Sequence, residues 1–117
     1  LDRHLSPMSD IDTVHYAHPQ RHVDQIRALI PSEGLASIDG DTTVSPKSLE
    51  AALTAVGAAN AAVDDVFAGR ADNVFVASRP PGHHAEKATA MGFCLFNHAA
   101  IAARQAGMEI LGFSLIT

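Results

Sequence analysis

Hydrophobic positions first become periodic at Val23, Ile26, Leu29 and Ile30, whose spacings of three and four predict a helix with Pro19 in its first turn. Pro31 and Gly34 close it. Ahead of this helix, residues 1–17 show no clear period and contain Pro7, Ser9 and Asp10, so they read as irregular. The polar run from Asp39 to Thr43 reads as a turn. A longer helix is expected next, with Ser45 as its cap and Pro46 in the first helical position. Leu49, Leu53, Val56, Val63, Val66 and Phe67 recur on one face, alanines fill the intervals, and Gly69 is the stop.

Beyond Gly69 the period changes. Asn73 to Ala77 holds the apolar run Val74-Phe75-Val76-Ala77 and reads as a short buried strand. Ser78 to Gly92 is a loop, and Phe93 to Ala106 reads as a third helix with Leu95, Phe96, Ala99, Ile101 and Ala102 as its apolar positions. Gly107 ends it, and Ile110 to Ile116 suits a second strand. Strand, loop, helix and strand in that order form a βαβ unit, which implies parallel pairing and a right-handed crossover. The expected class is α/β, with a single domain or part of one, and no internal repeat, low-complexity tract or interdomain linker.

Composition narrows the function. At 117 residues and 47% hydrophobic content the chain can bury one small core. A formal net charge of −5 and a pI near 5.7 argue against direct nucleic-acid binding, which needs a basic face. No apolar run approaches the roughly 18 residues of a membrane span. The single cysteine, Cys94, excludes an internal disulfide and accords with a reducing compartment. No secretory signal opens the chain, and the expected location is cytoplasmic. The chain starts at Leu1 rather than at Met, and it reads as an internal piece of a longer protein.

The candidate chemistry lies in Arg79-Pro80-Pro81-Gly82-His83-His84, two adjacent imidazoles on a loop at the end of the expected strand. The prolines restrict the backbone and Gly82 permits a sharp turn. Ligands commonly bind at the ends of strands in α/β sheets, and histidine exchanges protons near neutral pH. Taken alone, His-His reads as two solvated loop residues. His15, His18 and His22 form a second histidine group, with His18 and His22 four apart on a helix. No acidic or cysteine partner stands beside them, so they read as a solvated helix N-terminus rather than a metal site.

From Arg79 to Ala103 the sequence RPPGHHAEKATAMGFCLFNHAAIAA resembles the catalytic loop of the histone deacetylase family. The similarity is greatest to bacterial and class II-type members, which include acetylpolyamine amidohydrolases. A weaker likeness runs from Thr13 to Gly69, through Asp39-Gly40-Asp41-Thr42 and Ser45-Pro46-Lys47-Ser48-Leu49-Glu50-Ala51-Ala52. The resemblance implies part of an arginase/deacetylase-type domain, three layers around a parallel sheet, with residues 1–117 forming the segment upstream of the zinc-ligand loop. It implies a zinc-dependent amidohydrolase acting on acetyl-lysine, acetylated polyamine or a related acylated amine. His84 would be the general base and then the acid that protonates the leaving amine, and His83 would supply electrostatic support. The Gly92 carbonyl would face the substrate amide, and Phe93 would form an aromatic wall for a lysine-like methylene chain. By itself Phe93 reads as core beside Cys94 and Leu95. Cys94 is expected to be a small buried residue rather than a nucleophile. Asp41 falls loosely where some members hold the substrate backbone.

Departures from the family pattern matter as well. The Asp-x-His loop and the further Asp that hold zinc in the family have no match in these residues, nor do the carboxylates that orient the histidine pair or the tyrosine that assists the oxyanion. Met108 to Thr117 matches the family strand poorly, and His98 stands where Asn is frequent, as a packing or surface residue. Two histidines without zinc lack a nucleophile and oxyanion stabilisation. The isolated chain is therefore expected to be inactive. A non-catalytic remnant, or a binding module that keeps the His-His loop without a metal site, is the alternative.

Overall fold

The computed structural model describes residues 2–107 of the chain. Its elements, in order, are a 3-10 helix over Ile11–Tyr16, α1 over Gln20–Leu29, β1 over Ala36–Ser37, β2 over Thr43–Val44, α2 over Ser48–Phe67 and α3 over His98–Gln105. Val14, Val23, Ile26, Val44, Leu53, Val56, Leu95, Phe96 and Ile101 form one buried cluster drawn from the 3-10 helix, all three α-helices, β2 and the segment before α3. Helix α3 packs against both α2 and the 3-10 helix. The segment 82–97, which carries the histidine pair, contributes Ala90, Leu95 and Phe96 to the same cluster.

Helix α1 has nearly the expected bounds, with Pro19 as its N-cap and Val23 and Ile26 buried. The 3-10 helix before it was not foreseen in the segment read as irregular. Helix α2 begins three residues later than Ser45. Ser45 N–H donates to Ser48 Oγ at 2.8 Å, and Ser48 N–H donates to the Ser45 carbonyl at 3.1 Å, which closes a turn ahead of the helix. At the other end Gly69 takes φ 75°, the left-handed conformation of a helix stop, as expected. The apolar face of α2 is covered at Leu53 and Val56, but Val66 and Phe67 in the last turn are exposed. Midway along, Gly57 is buried beneath the N-terminal segment. A Cβ there would fall on the backbone of Pro7 and Ser9, and Ser9 N–H donates to the Leu53 carbonyl at 3.0 Å.

Two expectations are corrected here. The expected strand Asn73–Ala77 has no strand pairing, and Phe75 is 90% exposed. A strand needs a neighbour to satisfy its backbone groups. The expected partner, Ile110 to Ile116, lies outside the described residues, and so does the parallel pairing of the βαβ unit. Among the described residues the sheet is instead an antiparallel two-stranded ribbon, with Ala36 opposite Val44 and Ser37 opposite Thr43. The second correction is to α3, which starts at His98 rather than Phe93. Met91 and Cys94 exchange both backbone hydrogen bonds, at 3.1 and 2.9 Å, and Phe93 between them has φ 68°, which no right-handed helix accommodates. Asn97 then caps α3, its Oδ1 accepting from Ala100 N–H at 3.0 Å.

Candidate active site

The loop that carries the histidine pair is held from both ends. Gly82 takes φ 86°, its N–H donates to Cys94 Sγ at 3.0 Å, and a Cβ on it would fall on the His98 imidazole. His98 is thus a packing residue. Burial, and secondarily the charge of His83, hold its pKa below the usual histidine range. Cys94 is fully buried, as expected, and its thiol donates to the Gly92 carbonyl at 3.3 Å.

His83 and His84 lie with ring centroids 4.2 Å apart and planes inclined by 46°. His84 is exposed, whereas His83 is half-buried and its Nε2 is buried without a hydrogen-bond partner among the described residues. Gly92, at φ 57°, lies directly against His84, and a Cβ on it would overlap that imidazole. The structure therefore brings His83, His84 and Gly92 together. Phe93 follows on the same turn and is 63% exposed, unlike its fully or nearly fully buried neighbours Cys94 and Leu95. Its N–H donates to Thr42 Oγ1 at 3.2 Å, so the β1–β2 turn reaches this edge of the loop. In that turn Asp39 Oδ1 accepts from the N–H groups of Asp41 and Thr42 at 3.0 and 2.8 Å. These bonds, the Asp41 N–H foremost, hold the Asp39 carboxyl below the usual carboxylate range. Asp41 is exposed beside this edge.

Asn97, which sequence reasoning did not single out, joins these parts. It is 1% exposed, and while Oδ1 caps α3, Nδ2 donates to the carbonyls of His83 and Ala85 at 3.4 and 3.1 Å. Those carbonyls stand immediately before and after His84, so the backbone on both sides of the exposed imidazole is anchored to one helix cap.

The reading of His18 and His22 as solvated is overturned: they are 2% and 1% exposed. Their rings stack at 4.5 Å with a 20° interplanar angle, and both lie against Phe96. His18 Nδ1–H donates to the Lys87 carbonyl at 2.8 Å, and its Nε2 accepts from Asn97 N–H at 2.9 Å. His22 Nε2–H donates to the Leu95 carbonyl at 2.8 Å. These tautomers follow from the partners, since a carbonyl accepts only and an N–H donates only. Burial lowers the His18 pKa to about 4, and the neighbouring His22 pushes in the same direction. A sequence signal for His22 was present. His22 and Ile26 stand four apart within α1, which puts His22 on the stripe that buries Ile26, whereas His18 precedes the helix.

Among the described residues no three His, Cys, Asp or Glu side chains gather as a metal-binding group. A cavity of about 200 Å³ opens between α1 and the loop, lined by His22, Ile26, Leu29, Ile38, Thr89 and Ala90 among others, and it does not include the histidine pair.

Residues 4–114 match the histone deacetylase domain. The histone deacetylase-like amidohydrolase of Pseudomonas aeruginosa is 42% identical over 100 residues, which are 86% of this chain and 26% of that protein. A probable deacetylase of Methanothermobacter thermautotrophicus is 34% identical over 85% of this chain and 29% of its own length. The polyamine deacetylase HDAC10 of Rattus norvegicus is 49% identical over 52% of this chain. In three dimensions the chain superposes on the crystal structure of the HDA15 HD domain with a TM-score of 0.77 at 35% identity, covering 87% of this chain and 29% of that one. The architecture is thus that of a deacetylase domain, of which the chain spans between a quarter and a third. The chain belongs to the histone deacetylase family.

Proposed function

We propose that this chain supplies the proton-handling loop of a zinc-dependent deacetylase that cleaves the amide of acetyl-lysine, acetylated polyamine or a related acylated amine. The observation that carries the proposal is the state of His84. Its imidazole is exposed, while the carbonyls on either side of it are fixed by Asn97. A general base must be open to substrate and held in a defined direction, and this residue meets both conditions. In the proposed reaction His84 takes the proton of the attacking water and later delivers it to the departing amine. His83, whose buried Nε2 lacks a partner within the described residues, supports the charge that develops beside it. The Gly92 carbonyl faces the substrate amide, and the exposed phenyl of Phe93 lines the path of the methylene chain.

Because the Asp-x-His loop that holds zinc in the family has no match in these residues, this segment is proposed to stand beside the metal rather than to ligate it. Bound zinc would supply carbonyl polarisation and a more acidic water. The name of the rat relative supports including acetylated polyamines among the substrates. The parallel sheet within three layers is likewise proposed for the complete domain, supported by the HDA15 match. Cytoplasmic location is proposed from the unpaired, buried Cys94.

The complete enzyme, stripped of metal and then reloaded with zinc, should be assayed on an acetyl-lysine peptide and on an acetylated polyamine. Turnover that vanishes on chelation and returns with zinc supports the proposal. Turnover indifferent to chelation removes the metal from it, and no hydrolysis of any acylated amine overturns it.

A further inference from the structure

We propose that His18 is a positioning residue for the histidine pair, its neutral imidazole joining the Lys87 carbonyl to the Asn97 N–H and so setting the direction in which His84 faces substrate. This rests on the proton-transfer role given to His84 above. The path is short, and its central bonds, from Asn97 N–H to His18 and from Asn97 Nδ2 to the Ala85 carbonyl, are buried. His18 fixes the Asn97 backbone at 2.9 Å, and the Asn97 side chain fixes the carbonyls of His83 and Ala85. On its other edge the same ring holds Lys87, three residues past His84. One imidazole therefore clamps the segment 83–97 at two separated points.

The clamp depends on the particular chemistry of neutral imidazole, which offers one donor and one acceptor on opposite edges of a rigid ring. Asn and Gln carry both functions on one end, and Lys and Arg have no acceptor. A protonated His18 would turn a second N–H toward the N–H of Asn97, so the clamp requires the neutral ring. Burial keeps the ring in that form at neutral pH, as its lowered pKa of about 4 reflects. The stack with His22 and the tilted contact with Phe96 fix the ring plane, and His22 adds its own bond to Leu95 within the same segment.

Three variants of the complete zinc-loaded enzyme test this: His18→Phe, which keeps the ring and removes both bonds; His18→Asn, which can still reach Lys87; and His18→Gln, which can still reach Asn97. Misaligned catalytic groups cost up to about 100-fold in rate. In His18→Phe we expect kcat to fall by about 10–100-fold with KM within about twofold and zinc content retained, and the histidine limb of the pH–rate profile to shift. The Asn and Gln variants should recover part of the loss, and they carry the test if the Phe variant does not fold. Amide hydrogen exchange over residues 83–97 should accelerate in His18→Phe relative to wild type. A lower melting temperature with unchanged kcat per folded molecule and an unshifted pH profile would reduce His18 to a packing residue and overturn the proposal. If the wild type hydrolyses no acylated amine, the deacetylase reading fails, and exchange alone then decides: unaltered exchange across 83–97 also overturns the clamp.

Discussion

The backbone N–H of Phe93 donates to Thr42 Oγ1 at 3.2 Å, tying an exposed phenyl ring to the turn that also carries Asp41. Thr42 is fully buried, and its own N–H is held by Asp39, so the ring stands on a fixed base although it faces solvent. The positive φ of Phe93 belongs to this arrangement, since it turns the side chain away from the core that receives Cys94 and Leu95.

Phe93→Ala should therefore raise KM for acetyl-lysine and acetylated polyamine substrates by about 10-fold, the scale of losing a hydrophobic contact to a methylene chain. Thr42→Val should give a smaller effect of the same kind, with about 1 kcal/mol of stability lost along with the bond to Phe93. Steady-state kinetics on substrates of different chain length checks both. An unchanged KM in Phe93→Ala would remove the phenyl from the substrate path.

His84→Ala in the complete enzyme should lower kcat by roughly 10²–10⁴, the range for a lost general acid–base group, and leave zinc content intact. Metal analysis beside kinetics separates the roles. Stoichiometric loss of zinc would make His84 a ligand instead.

Acid should destabilise the fold through His18. Its pKa is about 4 in the folded chain against an ordinary 6.5. Between those values the unfolded chain holds more protons, so stability is level above about pH 6.5 and falls as pH drops toward 4. For this group alone the loss approaches about 3 kcal/mol. His98, also lowered, acts in the same direction. Urea midpoints of the complete enzyme between pH 7 and 4 should show the decline, and His18→Asn should flatten it. An equal slope in the variant would assign the acid sensitivity to other groups.

The 117-residue polypeptide expressed alone should show no zinc-stimulated deacetylation and should be marginally stable or prone to aggregate. Phe75 is 90% exposed and Phe67 74%, and the Val74–Ala77 run has no paired neighbour among the described residues. Sizing chromatography with a thermal melt by circular dichroism checks this. A monodisperse monomer melting cooperatively above about 55 °C, within the ordinary range of small domains, would contradict it.

The three helices are legible in the sequence because their periods and stops agree, although the expected Ser45 cap of α2 gives way to a start at Ser48. Gly69 ends α2 where its φ requires glycine, and Val23 and Ile26 are buried as their spacing demands. The start of α3 was not legible. The apolar residues 93–96 continue the helical spacing, whereas the paired bonds between Met91 and Cys94 impose a turn on them. The β1–β2 ribbon has two residues per strand, too few to show alternation. The strand at Asn73–Ala77 was read from apolarity alone, which does not report whether a pairing neighbour exists. At the site, the resemblance of Arg79–Ala103 singled out the histidine pair, Gly92 and Phe93. The supports beneath them do not stand out in the sequence, where His18 and His22 stand among polar neighbours and Asn97 within a motif. Their importance lies in contacts spanning more than seventy residues of sequence, beyond any local pattern.

Asn97 divides its amide between two tasks, with the oxygen serving α3 and the nitrogen serving the carbonyls that flank His84. Exchanging that nitrogen for oxygen, as in Asn97→Asp, would leave the cap intact, since Asp caps helices as well as Asn does. It would also set a carboxylate oxygen against two carbonyl oxygens. One side chain thus joins the integrity of the scaffold to the aim of the imidazole, and a buried carboxylate in its place would weaken the fold while releasing the backbone on both sides of the reactive histidine.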